Sequence, residues 1–318
     1  MGDFVRRPRV AVIGSLHMDI VATARRLPVK GETLPGDSLA FHPGGKAGNQ
    51  AVAAHRAGGN ADLLACVGDD DFGRQLRQAI REEGVGVDHV AVDRRAGTGA
   101  SPVFVGEGGD YCSIIVPGSS LLITPEFVRD HQEVLRSASV VIGQLEIAPD
   151  ATAEALRIGR EAGATTILNA APAPERGGLP LALGETVDVL VANVVEAAML
   201  LETGTTLSVP IEAAVLALVQ RYAIPTVILT LGGDGVLGYQ SGEMVYLDAH
   251  PVSVIDTLGA GDAFIGAFAV AMAGGRGFAE ALARANAAGA LTVTKAGARG
   301  ALPTATEIDR FLAAGESN

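Results

Sequence analysis

The sequence predicts an α/β fold in which helices flank both faces of a mainly parallel central sheet and a small second sheet lies beside it. In the second half of the chain, short β-branched runs alternate regularly with helical stretches, a pattern typical of parallel sheets. In the first half, β-type segments occur that do not alternate with helices. The chain has 318 residues, 48% of them apolar, so it can bury a sizeable core.

The small sheet is predicted in the first third of the chain. Residues Val10–Gly14 form an apolar run that is interpreted as a buried strand ending in a loop. β-type residues then occur at 36–41, 101–106 and 111–116, and the glycine-rich turn Gly106–Asp110 predicts a hairpin between the last two segments. We expect these segments to form a separate sheet that acts as a lid.

Strands and helices alternate after residue 138. The predicted strands are Val140–Ile142, Thr165–Leu168, Val187–Val191 and Thr226–Thr230, and the predicted helices between them are Asp150–Ala162, Val194–Leu201 and Ile211–Tyr222. Residues 259–273 and 278–294 are expected to form two long helices whose many Ala and Gly residues allow close packing. Because no internal repeat or long linker divides the chain, residues 1–318 are predicted to form a single domain.

The composition argues against several classes of function. The formal net charge of −12 disfavours nucleic-acid binding, because most of the surface would repel a polyphosphate backbone. The longest apolar stretch, Ala263–Ala273, is too short to span a bilayer, and the N-terminal apolar run is interpreted as a strand rather than a signal peptide. Cys66 and Cys112 lack CxxC spacing and are expected to be reduced thiols. A soluble cytoplasmic protein is therefore expected.

Two of the three glycine clusters do not fit the phosphate-binding motifs that they superficially match. The cluster Gly44–Asn49 lacks the GxxxxGK[ST] pattern of a P-loop, because Lys46 is followed by alanine. The cluster Gly233–Gly238 matches GxGxxG, but Val236–Tyr239 has the pattern of a strand where a dinucleotide-binding turn requires a helix. Neither a P-loop nor a Rossmann NAD site is predicted.

The third cluster, Asp256–Asp262, follows a strand-like run at Val252–Ile255 and opens a helix. Small residues at a helix start leave backbone amides bare, and these amides together with the helix dipole form an anion site. Asp262 then has two interpretations, a residue that stabilises the first helical turn or a general base that accepts a hydroxyl proton. The motif by itself leaves both interpretations open.

Three separated segments carry a resemblance to a known family. The segments Gly14–Asp19, Gly44–Ala53 and Asp256–Asp262, in this order, resemble the ribokinase (PfkB-type) family of carbohydrate kinases. The resemblance covers nearly the whole chain and implies a ribokinase-like three-layer sandwich with a lid formed by residues of about 15–42 and 98–118. Intermediate segments that fit the same family pattern are Val67–Gly73, Gln144–Glu146, Asn169–Ala173 and Thr230–Gly232.

The resemblance implies an ATP-dependent phosphotransferase with Asp262 as its catalytic base. This carboxylate would deprotonate the primary hydroxyl of a sugar for in-line attack on the γ-phosphate of ATP. The amides of Gly259, Ala260 and Gly261 would stabilise charge on the transferred group. A sugar- or nucleotide-binding regulator without catalysis would be expected to have a damaged base or anion site, and both motifs are intact here.

Sites for ATP and Mg²⁺ follow from the same resemblance. Asn193 and Glu196 match an Asn-x-x-Glu element that would position Mg²⁺ and phosphates, largely through water. The residue between them is usually acidic in the family, whereas this chain has Val194 and Val195. The residues that would contact ATP are Asn193, Thr230, Leu231, Gly232, Gly233, Asp234, Gly235, Gly261 and Asn286.

For the sugar, the resemblance implies a set of polar residues, with D-ribose as the first expectation. Ribose kinases of the family usually carry Asn at the position of His17, and this departure leaves the sugar open. A nucleoside, a ketohexose or a 2-keto-3-deoxysugar is the alternative, although the scarcity of aromatic residues (no Trp, four Tyr) disfavours a nucleoside. The implied sugar-binding residues are His17, Asp19, Gly45, Lys46, Asn49, Glu146 and Asp262.

A monovalent cation, usually K⁺, is also implied beside the anion site. A serine is common in the family at the position of Ala301, so backbone oxygens would have to suffice there. The cation would be held mostly by backbone oxygens at or near Asp256, Leu258, Thr292, Lys295, Gly297 and Ala301.

The lid gains a role from the resemblance. A small sheet over the sugar would exclude water and so limit wasteful hydrolysis of ATP. In the family such sheets often pair with a second copy, and exposed apolar side chains on an uncovered sheet favour association. We therefore expect a homodimer formed through the lid sheet.

Overall fold

A nine-stranded sheet forms the middle of the molecule, and a four-stranded sheet lies beside it. The computed structural model describes residues 7–107 and 110–315. The strands are β1 (Arg9–Ile13), β2 (His17–Ala24), β3 (Ser38–Gly44), β4 (Asn60–Gly68), β5 (Val90–Asp93), β6 (Gly99–Gly106), β7 (Tyr111–Ser113), β8 (Val140–Gly143), β9 (Thr165–Asn169), β10 (Val189–Asn193), β11 (Thr226–Thr230), β12 (Val236–Gln240) and β13 (Glu243–Leu247).

The large sheet is parallel except at one edge. Its strand order is β13-β12-β11-β10-β9-β8-β1-β4-β5, and only β12 and β13 are antiparallel to their neighbours. The first strand, β1, is third from the β5 edge, and later strands extend the sheet on both sides of it. At such a reversal of strand order, the carboxyl ends of neighbouring strands leave a crevice in which open α/β sheets bind ligands.

Helices cover both faces of this sheet. Side chains of β1 alternate between the two layers, since Val10 and Val12 belong to one apolar core and Ala11 and Ile13 to the other. Helices α1, α2, α9, α10 and α11 contribute to the first core and α3–α8 to the second, which confirms the predicted three-layer α/β fold. None of the described helices is long and apolar enough to cross a membrane. The helices are α1 (Lys46–Arg56), α2 (Asp71–Glu82), α3 (Pro125–Asp130), α4 (Gln132–Arg136), α5 (Pro149–Glu161), α6 (Leu181–Gly184), α7 (Val194–Leu200), α8 (Ile211–Tyr222), α9 (Ala260–Ala273), α10 (Phe278–Thr292) and α11 (Ala305–Gly315).

The small sheet has the order β3-β2-β6-β7 and is separate from the large one, as predicted. Its central strand β2 was not predicted, although it carries His17 and Asp19 and pairs with both β3 and β6. Strand β7 ends at Ser113, whereas the sequence predicted a strand to residue 116. Pro102 opposite Ile114 has no N–H to donate, so the ladder is interrupted there. Residues 108 and 109 of the predicted hairpin turn lie outside the described residues.

The prediction of a strand at Val252–Ile255 is wrong. This segment follows the last edge strand of the sheet and forms no regular element, and the side chains of Val254 and Ile255 are exposed. The amide of Ile255 donates to the carbonyl of Val293 at 2.8 Å, which ties the segment to the end of α10. The β-branched residues Val252 and Val254 line a cavity instead of pairing in the sheet.

Helices α1 and α9 cross closely, and this contact places their first turns side by side. A Cβ atom at Gly266 would lie 2.5 Å from Ala53 Cβ and 2.6 Å from the backbone nitrogen of Ala54, so only glycine fits at the crossing. Because both helices begin near the carboxyl ends of the central strands, the crossing brings Asn49 and Gln50 of α1 against Asp262 of α9.

Candidate active site

Asp262 lies where the first turn of α9 meets the carboxyl ends of the central strands. It lines a cavity of about 230 Å³ together with Asn169, Asn193 and Thr230. These three residues are the last residues of β9, β10 and β11, respectively. Lys46, the first residue of α1, lines the same cavity. The helix-start motif found in the sequence therefore coincides with the edge at which parallel sheets bind ligands.

Two amide side chains of α1 hold the carboxylate of Asp262. Asn49 Nδ2 donates to Asp262 Oδ2 at 3.1 Å, and Gln50 Nε2 donates to Asp262 Oδ1 at 3.0 Å. Burial raises the pKa of Asp262, and the repulsion of Glu146 adds to this, while Lys46 and the two amides act in the opposite direction. A carboxylate with a raised pKa and a fixed orientation is a better proton acceptor than an ordinary exposed carboxylate.

Lys46 brings a positive charge to this cluster of carboxylates. Burial by itself would favour the neutral amine, but the charges of Asp262, Glu146 and Glu196 outweigh burial and raise the pKa of Lys46. The ammonium group therefore remains charged at neutral pH and offers donors to an anionic or hydroxyl-bearing ligand.

Glu146 is tied to the start of α1 by a residue that the sequence analysis missed. Its Oε2 atom accepts hydrogen bonds from the Ser15 hydroxyl and, at 3.1 Å, from the backbone amide of Lys46. The same amide also lies 3.1 Å from the Ser15 hydroxyl oxygen. Gly45, with a φ of 94°, permits this arrangement, because a Cβ there would lie 2.6 Å from the Ser15 carbonyl oxygen.

His17 and Asp19 project from the same face of β2, two residues apart. His17 Nε2 lies 3.2 Å from Asp19 Oδ1, and the imidazole is buried. On α1, Asn49 donates through Nδ2 to Asp262, while its buried Oδ1 atom has no hydrogen-bond partner among the described residues. A buried acceptor of this kind is costly unless a ligand or water donates to it.

Backbone amides at the start of α9 form the predicted anion site. Gly259 adopts a φ of 78°, and a Cβ there would lie 3.1 Å from the backbone of Ala298. The amide of Ala260 makes one long hydrogen bond of 3.4 Å to the carbonyl of Thr257. Within the part of the chain that the structure describes, the amides of Gly259 and Gly261 donate to no protein acceptor. Their donors are available to an anion.

Asn193 and Glu196 form a reciprocal cap at the start of α7. Asn193 Oδ1 accepts from the amide of Glu196, and Glu196 Oε2 accepts from the amide of Asn193, both at 2.8 Å. Burial raises the pKa of Glu196, against the hydrogen bond from Asn193 and the charge of Lys46. One carboxylate oxygen of Glu196 takes no part in the cap. A single carboxylate of this kind suits Mg²⁺, which keeps several waters and is often shared with substrate phosphates.

A larger cavity of about 610 Å³ adjoins the first one, and Asn193, Thr230, Thr257 and Gly261 line both. Asn286 lies on its wall and donates through Nδ2 to the carbonyl of Asp248 at 2.8 Å. Leu231 and Asp234, which were expected to contact ATP, do not line this cavity. The cavity is otherwise lined by Gly232, Gly233, Gly235, Ala249, His250, Pro251, Val252, Val254, Ala260, Phe264, Gly289, Ala290 and Val293.

Asp256 joins the two loops from which cation ligands were expected. Its Oδ1 atom accepts from the amide of Leu258 at 3.0 Å and its Oδ2 atom from the amide of Gly297 at 2.8 Å. The Lys295 ammonium points elsewhere, to Glu307 Oε1 at 3.1 Å, so only the backbone of Lys295 is free for an ion. Ala301 and Thr292 are buried, and the Thr292 hydroxyl donates to Ala288.

Metal binding by side chains alone is not supported. No group of three or more His, Cys, Asp or Glu side chains in residues 7–107 and 110–315 is arranged to hold a metal ion.

A comparison with protein-family models places these features in a known context. The model described as the pfkB family of carbohydrate kinases matches residues 7–305. The chain belongs to this family. The two cavities, the glycine-rich helix start and Asp262 thus lie in a pfkB carbohydrate kinase, and the family resemblance drawn from the sequence is confirmed.

Several relatives of this pfkB protein carry more specific names. It is 34% identical over 306 residues to a ribokinase of Bacillus subtilis, covering 95% of this chain and 99% of the relative. It is 29% identical over 307 residues to a deoxyribokinase of Salmonella typhi, covering 96% and 99%. A solved structure of Arabidopsis thaliana ribokinase complexed with ribose and ATP superposes with a TM-score of 0.89, at 30% identity, over 96% of this chain and 99% of that one.

Proposed function

We propose that this protein is an ATP-dependent sugar kinase that transfers the γ-phosphate of ATP to the primary hydroxyl of D-ribose, forming ribose 5-phosphate. The observation that carries the proposal is the meeting of two cavities at the start of α9. Gly261 lines both, and the Asp262 carboxylate lines the smaller one. Relatives named ribokinase, and the similar Arabidopsis structure with ribose and ATP, support the choice of substrates.

Asp262 acts as the general base in the proposed reaction. Its carboxylate accepts the proton of the sugar hydroxyl while the hydroxyl oxygen forms a bond to the γ-phosphorus and the bond from that phosphorus to ADP breaks. Asn49 and Gln50 keep both carboxylate oxygens in place during this transfer. The free amides of Gly259 and Gly261, with that of Ala260, stabilise negative charge on the transferred group.

The larger cavity binds ATP in this proposal. Glycines 232, 233 and 235 let the backbone approach the nucleotide, and Val252, Val254 and Phe264 offer an apolar wall for the base. Asn193 and Glu196 would hold Mg²⁺ through water at the junction of the cavities. There the ion would supply positive charge to the phosphate oxygens.

The smaller cavity and the start of β2 bind the sugar. The free Oδ1 atom of Asn49 accepts a hydroxyl hydrogen, and Asp19 and Lys46 offer an acceptor and a donor to neighbouring hydroxyls. His17 Nε2 lies 3.2 Å from Asp19 Oδ1. The imidazole therefore limits which sugar hydroxyls can donate a hydrogen bond to this carboxylate. A sugar lacking one hydroxyl is the second candidate, because one relative is named deoxyribokinase.

A substrate panel tests the proposal. We expect ribose to be phosphorylated with a higher kcat/KM than 2-deoxyribose, fructose, 2-keto-3-deoxygluconate or adenosine, measured by coupled release of ADP. Preference for another sugar would overturn the choice of ribose but leave the kinase assignment intact. His17→Asn should change the ranking of the sugars and leave the KM for ATP unchanged.

We also propose that a monovalent cation, preferably K⁺, activates the enzyme. Asp256 holds the loops at 256–259 and 293–298 face to face, so carbonyl oxygens of both loops can replace the hydration shell of a large cation. This cation would lie beside the anion site and order its amides. We expect kcat to rise several-fold when Na⁺ is exchanged for K⁺ at constant ionic strength, and an equal rate in both salts would contradict the proposal.

The remaining proposals concern the whole chain. We propose that residues 1–318 act as one domain whose small sheet is a lid over the sugar, and that two copies associate through that sheet. We also propose that the enzyme acts in the cytoplasm, because it depends on ATP. The exposed apolar side chains of the small sheet, among them Leu39 and Phe104, support association.

A further inference from the structure

A row of buried amide side chains lies behind Asp262. Gln144 Nε2 donates to Gln50 Oε1 at 2.7 Å, and Gln50 Nε2 donates both to Asp262 Oδ1 at 3.0 Å and to Asn169 Oδ1 at 3.1 Å. Gln50 and Gln144 are completely buried, and Asn169 is 8% exposed. Uncharged amides in such a buried position require good hydrogen bonds, since each unsatisfied group there is costly. Among the described residues, Gln144 Oε1 has no hydrogen-bond partner, so the Gln144 amide is held through its Nε2 atom.

The direction of these hydrogen bonds is fixed from the Asp262 end. Because the ionised carboxylate of Asp262 can only accept, the NH₂ group of Gln50 faces Asp262 and Asn169, and the Gln50 oxygen faces Gln144 Nε2, which donates to it. Asn169 is oriented in turn by its own Nδ2 atom, which donates to the carbonyl of Val191 at 3.4 Å. If the Gln50 amide were reversed, its oxygen would face the carboxylate of Asp262 and the two would repel each other.

The surroundings of Gln144 hold its backbone and leave room for its side chain. It directly follows β8, and the register that pairs Gly143 with Leu168 sets Gln144 level with Asn169 at the ends of two adjacent strands. The backbone carbonyl of Gln144 accepts from Thr152 Oγ1 at 3.0 Å. Its side-chain oxygen lies where a Cβ at Gly14 would be, so the glycine at the end of β1 makes room for it.

We propose that Gln144 and Gln50 act as a unit of positioning residues, in which Gln144 orients the Gln50 amide and Gln50 aims the Asp262 carboxylate at the acceptor hydroxyl. The inference rests on the proposed role of Asp262 as the base. Gln50 touches the base directly, whereas Gln144 acts only through Gln50. The two residues should therefore be coupled energetically.

The charges around Asp262 determine how a pH profile would respond. Lys46 of α1 faces it, Glu146 comes from the loop after β8, and the buried guanidinium of Arg299 adds a positive charge from the turn before α11. Burial raises the pKa of Asp262, and the hydrogen bond from Gln50 opposes this rise. Loss of that donor should raise the pKa further, so the acid limb of the activity profile should move to higher pH.

The experiment is a double-mutant cycle of Gln50→Met and Gln144→Met in the full-length chain, with kcat and KM measured as functions of pH. A hydrogen bond to a charged group contributes enough for Gln50→Met to lower kcat by about 10- to 100-fold, with the KM for ATP unchanged. Gln144→Met should lower kcat by about threefold to tenfold and shift the acid limb in the same direction. Adding Gln144→Met to Gln50→Met should change nothing further, within about twofold.

Thr152→Val is the matched control. It removes the hydrogen bond to the Gln144 carbonyl and loosens the same segment without touching the side-chain row. We expect lower thermal stability with kcat and the pH profile unchanged. If Gln144→Met does not fold, Gln144→Leu replaces it, since this apolar side chain also donates nothing to Gln50 and should give the same shift.

The outcomes separate this inference from the proposed function. Additive effects of the two Gln variants, or an unshifted acid limb in Gln144→Met, would overturn the coupling of the amides while the wild type still phosphorylates its sugar. A wild-type protein without sugar kinase activity, or an active Asp262→Asn variant, would instead overturn the proposed function itself.

Discussion

At the scale of single residues, opposing electrostatic effects set the pKa of Asp262. Burial favours its protonated form, whereas Lys46, Gln50 and Asn49 favour the carboxylate, and the net result is a raised pKa. A general base works only when it is deprotonated. We therefore expect kcat/KM to have its full value above this raised pKa and to fall as the pH drops through it. The same burial that makes the carboxylate basic also removes competing water.

Replacement of Asp262 by Asn tests the proposed base. We expect kcat to fall by about 10²- to 10⁴-fold, because the general base is lost. The fold should survive, since the free Oδ1 atom of Asn49 can turn to accept from the new amide. Calorimetric titration should show nearly unchanged ATP binding, and Asp130→Asn on the exposed side of α3 is the control. A variant with wild-type kcat would exclude the role.

The candidate site could be predicted from the sequence where separate local motifs together carry a family resemblance. Asp262 closes a glycine-rich helix start, and the distant segments Gly14–Asp19 and Gly44–Ala53 decided in favour of a general base. Ser15, Gln50 and Gln144 were missed, because a polar residue in an apolar run looks the same whether it faces solvent or a buried carboxylate. Their roles depend on contacts such as Ser15 with Glu146, which are 131 residues apart in the chain.

At the scale of elements, the crossing of α1 and α9 decides the geometry of the site. The donors Asn49 and Gln50 belong to one helix and the acceptor Asp262 to the other. Small residues at the contact let the helix axes approach closely, and Gly266 leaves no space for even one methyl group. Any widening of the crossing would therefore lengthen the hydrogen bonds to the proposed base.

Gly266→Ala and Gly289→Ala form a matched pair that tests this geometry. Overpacking at the crossing should make Gly266→Ala less stable by about 1–3 kcal/mol. A Cβ at Gly289 would lie 3.6 Å from the carbonyl oxygen of Ala260, an ordinary contact. Gly289→Ala should therefore be more stable by about 0.5–1 kcal/mol, since alanine favours a helix. Urea unfolding measures both, and equal stability of the two variants would argue against a close crossing.

Strands and helices were predicted correctly where the hydrophobic pattern of the sequence matches the large sheet and its helices. The prediction failed where tertiary contacts decide the structure of a segment. The strand predicted at Thr226–Thr230 is observed as β11 with the same bounds. The run Val252–Ile255 has the same β-branched composition, yet it lies along a cavity, because β propensity describes a fit to any half-buried surface. Strand β2 was missed because its pairing partners β3 and β6 are distant in sequence.

At the scale of the whole molecule, the small sheet links the site to the surface. Strand β2 carries His17 and Asp19 at one end and pairs along its length with β3 and β6. A displacement of the small sheet would therefore move two of the proposed sugar-binding side chains. Closure of such a lid is expected to order the sugar and exclude water at the same time.

One face of this sheet supports the proposed association of two copies. The register pairs Leu39 and Phe104 with the same residue, Ala22, so all three side chains share a face, and Phe41 lies two residues beyond Leu39. Leu39 is 61% and Phe104 42% exposed. Phe41 packs against Phe72 of α2, with ring centroids 5.9 Å apart, so Leu39 and Phe104 form the more open part of this face. Exposed apolar side chains on a sheet favour pairing with another surface, and a second copy offers an identical one.

Leu39→Lys tests the association. A charge in the middle of a buried apolar interface should shift the protein from dimer to monomer, since burial of an unpaired ammonium is costly. Sedimentation velocity at micromolar concentration measures the change directly. Val29→Lys is the control, because Val29 is also exposed but lies outside both sheets. A wild-type protein that sediments as a monomer, or a Leu39→Lys variant that still sediments as a dimer, would show that this face does not join two copies.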